Sequence, residues 1–138
     1  MTKQSHYNVG IYVRLSQEDE RAGESISIEN QKKMLTEYVS QQPDWSLVEI
    51  CEDDGYSGTD FNRPGVRQLL DDAKSGKINL ILCKDLSRFG RNYIEVGQYI
   101  DYIFPSFNIR FIALSDNVDT LERNSTAMDM MPIVNLFN

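Results

Sequence analysis

The run Val9-Gly10-Ile11-Tyr12-Val13-Arg14-Leu15 constrains the fold more than any other stretch, because residues 8–15 are almost continuously apolar. A strand with one face in water alternates apolar and polar residues, whereas a continuous run demands burial on both faces. Similar strand-like runs recur at 46–51, 78–83 and 109–114, with helix-like blocks between them. This alternation predicts an α/β fold: a mostly parallel central sheet of four or five strands flanked by helices.

The helical blocks carry their own punctuation. Ile28, Leu35, Tyr38 and Val39 share one helical face, after Ser25 and Ser27 as cap candidates. Pro64 suits a first helical position, followed by Val66, Leu69, Leu70 and Ala73 on one face and Gly76 as a stop. A third helix is expected over 94–104, with Val96, Tyr99, Ile100 and Ile103 spaced for burial and Pro105 closing it. The acidic turn Glu52-Asp53-Asp54-Gly55 ends the second strand, and residues 56–62 read as a loop punctuated by Gly58.

With 138 residues, 41% hydrophobic and 25% charged, the chain has the size and composition of one ordinary domain. No apolar run approaches the roughly 20 residues that cross a bilayer, and the polar start Met1–His6 lacks a signal-peptide core. A cytoplasmic protein with no membrane partner is expected. Cys51 and Cys83 fall in apolar runs and read as small buried hydrophobes rather than as a disulfide or metal site. The last stretch, from Ser125 through Phe137, reads as the opening of an apolar helix that ends without a glycine stop, so a fragment of a longer protein is expected.

In an open α/β sheet, ligands bind outside the carboxyl ends of the strands. Three chemistry-bearing segments follow strands: Ser16, the loop from Asp53 to Arg63, and Asp85 to Arg91. Arg14 lies two residues before Ser16, so both side chains leave an extended strand on one face. An arginine in an apolar strand needs an anionic partner or ligand; an ion pair with Asp53, Asp54 or Asp85 is one solution. Arg88 and Arg91 are three apart and fall on one side of a helical turn, either as phosphate ligands or as a solvated basic turn.

His6, the only histidine, precedes the first strand and makes a Ser-His-Asp arrangement untenable. Two further readings remain open at this point. One is a metal-dependent nuclease using Asp53, Asp54 and Asp85. The other is a non-enzymatic module like a response regulator, whose acidic pocket binds a metal or accepts a phosphoryl group. The net charge of −7 stands against any protein that holds DNA by bulk electrostatics.

Four motifs in order resemble the serine recombinases, the resolvase/invertase family. They are Tyr12-Val13-Arg14-Leu15-Ser16, Ser27-Ile28-Glu29-Asn30-Gln31, Asp54-Gly55-Tyr56-Ser57-Gly58 leading to Arg63-Pro64-Gly65, and Lys84-Asp85-Leu86-Ser87-Arg88-Phe89-Gly90-Arg91. The similarity is to the N-terminal catalytic domain and runs from about Tyr7 to the end of the chain. Its wording is nearest the large integrases and transposases of mobile elements.

The resemblance implies site-specific cleavage and rejoining of double-stranded DNA, for excision or integration of a mobile element. Ser16 would be the nucleophile, forming a covalent 5′-phosphoserine intermediate without cofactor or metal. Arg14, Arg63, Arg88 and Arg91 would bind and activate the scissile phosphate, with Gln31 assisting. Ser87 stands where small resolvases carry an aspartate, so Asp85 and Ser87 are the candidates for an orienting role. The resemblance also implies self-assembly as a dimer and a synaptic tetramer. Residues 1–138 would then be a catalytic domain ending at the start of a long dimerisation helix, with the DNA-binding domains beyond it. Such a fragment is expected not to complete recombination alone, and its acidity then conflicts with no DNA-binding role.

Overall fold

The computed structural model describes residues 3–21, 23 and 26–121. The chain runs β1 (Tyr7–Leu15), α1 (Gln17–Arg21), α2 (Ile28–Ser40), β2 (Trp45–Asp54), α3 (Pro64–Lys74), β3 (Leu80–Cys83), α4 (Leu86–Phe89) and α5 (Tyr93–Gln98). A π-helical stretch (Tyr99–Ile103), α6 (Phe104–Ser106), β4 (Arg110–Ala113) and β5 (Val118–Asp119) complete it. The sheet order is β2-β1-β3-β4-β5. The first four strands are mutually parallel, and β5 is antiparallel to β4. The expected α/β architecture is therefore present, with five strands.

Both faces of the sheet are covered, which is why β1 has so few polar residues. Tyr7, Val9, Ile11 and Val13 pack under α2 with Ile28, Leu35 and Val39. Tyr12 faces the other way, with Val66, Leu69 and Leu70 of α3 and with Phe89, Phe104 and Phe111. The period of two along the strand thus sends even-numbered residues to the α3 side, and Arg14 and Ser16 continue that series.

The elements differ from expectation in three places. Strand β2 runs on through Asp54, because β1 pairs with it in register as far as Leu15 opposite Asp54. Asp53 is consequently an interior strand residue rather than part of a turn. The turn comes at Gly55, whose φ of +85° is left-handed backbone that glycine adopts without strain. Pro105 does not end the third long helix: a π-helical stretch over Tyr99–Ile103 precedes it, it lies within α6, and the helix stops after Ser106. Helix α1, directly after Ser16, was not anticipated. The apolar helix expected from Ser125, and the cap candidate Ser25, lie outside the described residues.

Helix α3 shows how a buried carboxylate replaces a missing cap. Its N-cap residue, Arg63, makes no side-chain capping bond. Instead Asp53 reaches across from β2 and accepts from the N–H groups of Gly65 (2.7 Å) and Val66 (3.0 Å). Tyr12 donates its hydroxyl to the same carboxylate at 2.6 Å, and Arg63 Nη1 donates to the Tyr12 oxygen at 2.6 Å. Burial and the neighbouring Asp53 push the Tyr12 phenol far above its ordinary value, while Arg63 opposes the rise, so it remains a neutral donor. Cys51 and Cys83 are buried free thiols, and burial raises both, to about 12 for Cys51.

Tyr12→Phe keeps the packing but removes the shared hydroxyl, leaving a buried guanidinium without one acceptor. A loss of about 1–3 kcal/mol is expected, measured as a lower urea midpoint at unchanged slope.

Candidate active site

Strand order reverses at β1, with β2 on one side and β3 on the other. A crevice opens at such a switch point, outside the carboxyl ends of the strands. Unequal strand length enlarges it. Strand β3 pairs only with Val9, Gly10 and Ile11, so Tyr12 to Leu15 stand beyond its pairing. Helix α4 fills that space and meets Arg14 directly. Arg14 Nε donates to the Arg88 carbonyl (3.1 Å), and Arg88 Nη1 donates back to the Arg14 carbonyl (3.2 Å).

Ser16 leaves β1 and starts α1. Its hydroxyl oxygen accepts from the Asp19 N–H at 3.3 Å, and its own N–H donates to Asp19 Oδ2 at 2.8 Å. This is a reciprocal capping box with aspartate in the third helical position. The Ser16 hydroxyl also donates to Asp19 Oδ2, at 2.8 Å.

Asp19 is the hub of the site. Arg14 Nη1 donates to its Oδ2 at 2.9 Å, and Arg88 Nη2 donates to its Oδ1 at 2.9 Å. Arg91 Nη2 forms a third ion pair with Oδ1. The side chains of Arg14, Arg88 and Asp19 are fully buried, whereas Arg91 is 29% exposed and leads from the cluster to solvent. Burial alone would raise the Asp19 carboxyl. The bonds from Arg91 and Ser16 and the charges of Arg14 and Arg88 overcome it and hold the group down, from 3.8 to about 2. Burial likewise lowers Arg14, and the Asp19 charge counters it.

Asp85 and Ser87 both bond to Arg88, the Ser87 hydroxyl accepting from Arg88 Nη2 at 3.3 Å. Asp85 caps α4 by accepting from the Arg88 N–H at 3.0 Å, and it accepts from the Ser87 hydroxyl at 2.7 Å. The same oxygen lies 3.4 Å from Arg88 Nε. Burial would raise Asp85; Ser87, Arg88 and Lys84 together lower it, so it remains a carboxylate. Gly58 matters for space rather than for flexibility. A Cβ there would lie 2.7 Å from Arg14 Nη2 and 3.0 Å from Arg91 Cγ, and its carbonyl accepts from the Arg91 N–H.

The structure thus brings Ser16, Arg14, Arg88 and Arg91 together and places two other expected residues around them. Gln31 touches the Arg14 backbone, not its side chain: its Nε2 donates to the Arg14 carbonyl (3.0 Å), and its Oε1 accepts from the Arg14 N–H (3.3 Å). Arg63 donates to Tyr12, to the carbonyls of Phe89 (2.5 Å) and Arg88 (3.4 Å), and to the Asp60 carbonyl (2.8 Å). It supports the segment that carries Arg88. The anionic partner of Arg14 is none of the three carboxylates expected from sequence; it is Asp19. The Ser16-Gln17-Glu18-Asp19 spacing of a capping box was the signal that could have found it.

The metal-nuclease reading loses its donor set. Asp53 is committed to α3 and Tyr12, Asp85 to α4, and Asp54 is exposed. Among the described residues no group of three or more His, Cys, Asp or Glu is placed to hold a metal ion. His6 bonds Ser46 Oγ at 2.8 Å, at the amino end of β1 and away from Ser16. No helix of the described residues is long and apolar enough to cross a membrane.

Comparison with known proteins points one way. The family described as "Resolvase, N terminal domain" matches residues 9–138. The crystal structure of the N-terminal catalytic domain of TP901-1 integrase superposes with a TM-score of 0.76 at 25% identity, covering 94% of this chain and 95% of that one. A resolvase family site-specific recombinase from Streptococcus pneumoniae gives 0.71 at 24% identity, over 95% of this chain and 87% of the other, a likeness of fold. An uncharacterized immunity region protein of Bacillus phage phi105 is 38% identical over 76 residues, 55% of this chain and 90% of that protein.

Two expectations follow from the geometry. The folded Asp19 carboxyl lies below its ordinary value, so its stabilisation is present above about pH 4 and is lost as the pH falls toward 2. The loss is on the order of 2 kcal/mol; urea unfolding at pH 5, 4 and 3 should show a shallower decline in Asp19→Asn than in the wild type. Gly58→Ala forces Arg14 and Arg91 aside and should cost about 1–3 kcal/mol by overpacking, read in the same unfolding assay.

Proposed function

Because the chain belongs to the resolvase family of serine recombinases, we propose that Ser16 attacks a phosphodiester of double-stranded DNA and becomes linked to it as a 5′-phosphoserine. The domain is the catalytic domain of a site-specific recombinase. The observation that carries the proposal is the Ser16 hydroxyl in one buried bond network with three guanidiniums. Arginine remains charged at every relevant pH, and its planar fork matches phosphate oxygens.

In this reaction Ser16 Oγ forms a bond to phosphorus as the bond from phosphorus to the 3′ oxygen breaks. The serine proton leaves to solvent, and the departing 3′ oxygen takes one from solvent. One phosphodiester replaces another, so attack by a 3′-hydroxyl reverses the step without ATP. Charge accumulates on the non-bridging oxygens during displacement, and Arg14, Arg88 and Arg91 stabilise it. Asp85 and Ser87 orient Arg88. Gln31 and Arg63 contribute by holding the backbone of Arg14 and of Arg88-Phe89.

The partners in this reading are double-stranded DNA and further copies of the protein, as a dimer and a synaptic tetramer. The similarity to a phage immunity-region protein supports a mobile element as the setting, with excision or integration as the outcome.

A nicked suicide duplex carrying the recombination site tests the reading. The full-length protein should form a covalent protein–DNA adduct that persists in EDTA, and its Ser16→Ala variant should form none. Arg88→Lys keeps the charge but loses the fork, and adduct formation should fall on the order of a hundredfold. An adduct formed by Ser16→Ala would remove Ser16 as the nucleophile.

A further inference from the structure

We propose that Asp19 is a latch: its carboxylate fills the guanidinium cluster in the absence of DNA, and a substrate phosphate frees Ser16 by taking its place. The inference rests on reading Arg14, Arg88 and Arg91 as phosphate ligands, and it assigns Asp19 the role of regulating that same site.

The first support is the way Asp19 engages Ser16. The hydroxyl proton of Ser16 is donated to Oδ2, and the hydroxyl oxygen accepts from the Asp19 N–H. Both the proton and a lone pair needed for attack are therefore committed to one residue. The second support is chemical mimicry. A carboxylate and a phosphodiester each present two oxygens sharing one negative charge, and arginine forks bind both. Oδ2 already accepts from the Ser16 N–H, the Ser16 hydroxyl and Arg14 Nη1, and Oδ1 from Arg88 and Arg91. A phosphate reaching the same guanidiniums meets this carboxylate as a competing like charge.

The third support is the thin attachment of α1. Asp19 is the only buried residue of that five-residue helix; Gln17, Glu18, Glu20 and Arg21 are exposed. A single turn has no stability of its own in water. Among the described residues, a further side-chain hydrogen bond of this helix is a 3.4 Å exposed contact from the Ser57 hydroxyl to Glu18. Release of the Asp19 carboxylate thus frees the helix and the serine together. In the closed state the latch neutralises guanidiniums that burial would otherwise penalise.

The test uses inorganic phosphate as the probe and amide hydrogen exchange as the readout. The Ser16 N–H is held only as long as Asp19 Oδ2 accepts it, whereas the β3 amides of Leu80 to Cys83 report the core. Saturating phosphate should accelerate exchange at Ser16 about tenfold or more, with the core unmoved and with no effect of sodium chloride at equal ionic strength. An unchanged Ser16 amide, whether phosphate binds elsewhere or not at all, overturns the latch. Asp19→Asn removes the competing charge and, where it folds, should bind phosphate about tenfold more tightly; a folded variant with unchanged affinity also overturns it. Should that variant not fold, the wild-type exchange measurement decides. Neither readout involves attack by Ser16, so the latch and the nucleophile assignment stand or fall separately.

Discussion

Three arginines gathered on one buried carboxylate set the terms for the rest of this structure. Arg14 and Arg88 have no exposed side-chain surface, and a buried charge without a partner is expensive enough to unfold a domain of this size. Asp19 answers both and adds Arg91. The surrounding elements are arranged to deliver these groups to one point: β1 carries Arg14 outward, α4 presents Arg88, the loop at Gly58 leaves room for two side chains, and α1 returns Asp19 over Ser16.

The same demand explains the uneven strands. Had β3 paired with the whole of β1, its backbone would occupy the place where α4 now lies. By ending at Cys83 it lets Asp85 cap a short helix whose Arg88 exchanges two bonds with the Arg14 backbone and side chain. The Gln31 side chain gives the Arg14 peptide both a donor and an acceptor, in the manner of a neighbouring strand. Arg63 and Asp53 do comparable work behind the site, holding α3, Tyr12 and the α4 carbonyls. Residues that a motif comparison gathers as one set therefore divide by contact into those that bond Ser16 or Asp19 and those that bond the backbone and side chains around them.

Much of the fold was legible because burial on two faces leaves a period-independent apolar run, as in 8–15, and because Pro64 and Ser27 punctuate helices by local chemistry. Boundaries decided by partners were less legible. Asp53 reads as a turn residue in isolation, yet β1 holds it in a strand and α3 needs its carboxylate. Pro105 reads as a helix stop, yet it lies inside the short helix α6, which follows the π-helical stretch and ends after Ser106. Ser16, Arg14, Arg88 and Arg91, singled out by residue type and spacing, lie in one bonded cluster. Asp19 was not singled out: the capping-box spacing marks it as a local partner of Ser16, but its bonds to Arg14, Arg88 and Arg91 depend on burial that the spacing does not show.

Sequence by itself determined the α/β class, a mostly parallel sheet of four or five strands, the likeness to serine recombinases and the argument against a histidine-based serine mechanism. These depend on composition, periodicity and motif order, all of which are local or additive along the chain. Tertiary structure alone decided that Asp19 is the carboxylate shared by Arg14, Arg88 and Arg91, that Gln31 bonds the Arg14 backbone while Arg63 bonds Tyr12 and the carbonyls of Asp60, Arg88 and Phe89, and that the Ser16 hydroxyl rests on Asp19. Such pairings follow from which groups share a buried space, and burial energy depends on neighbours that are distant in the chain.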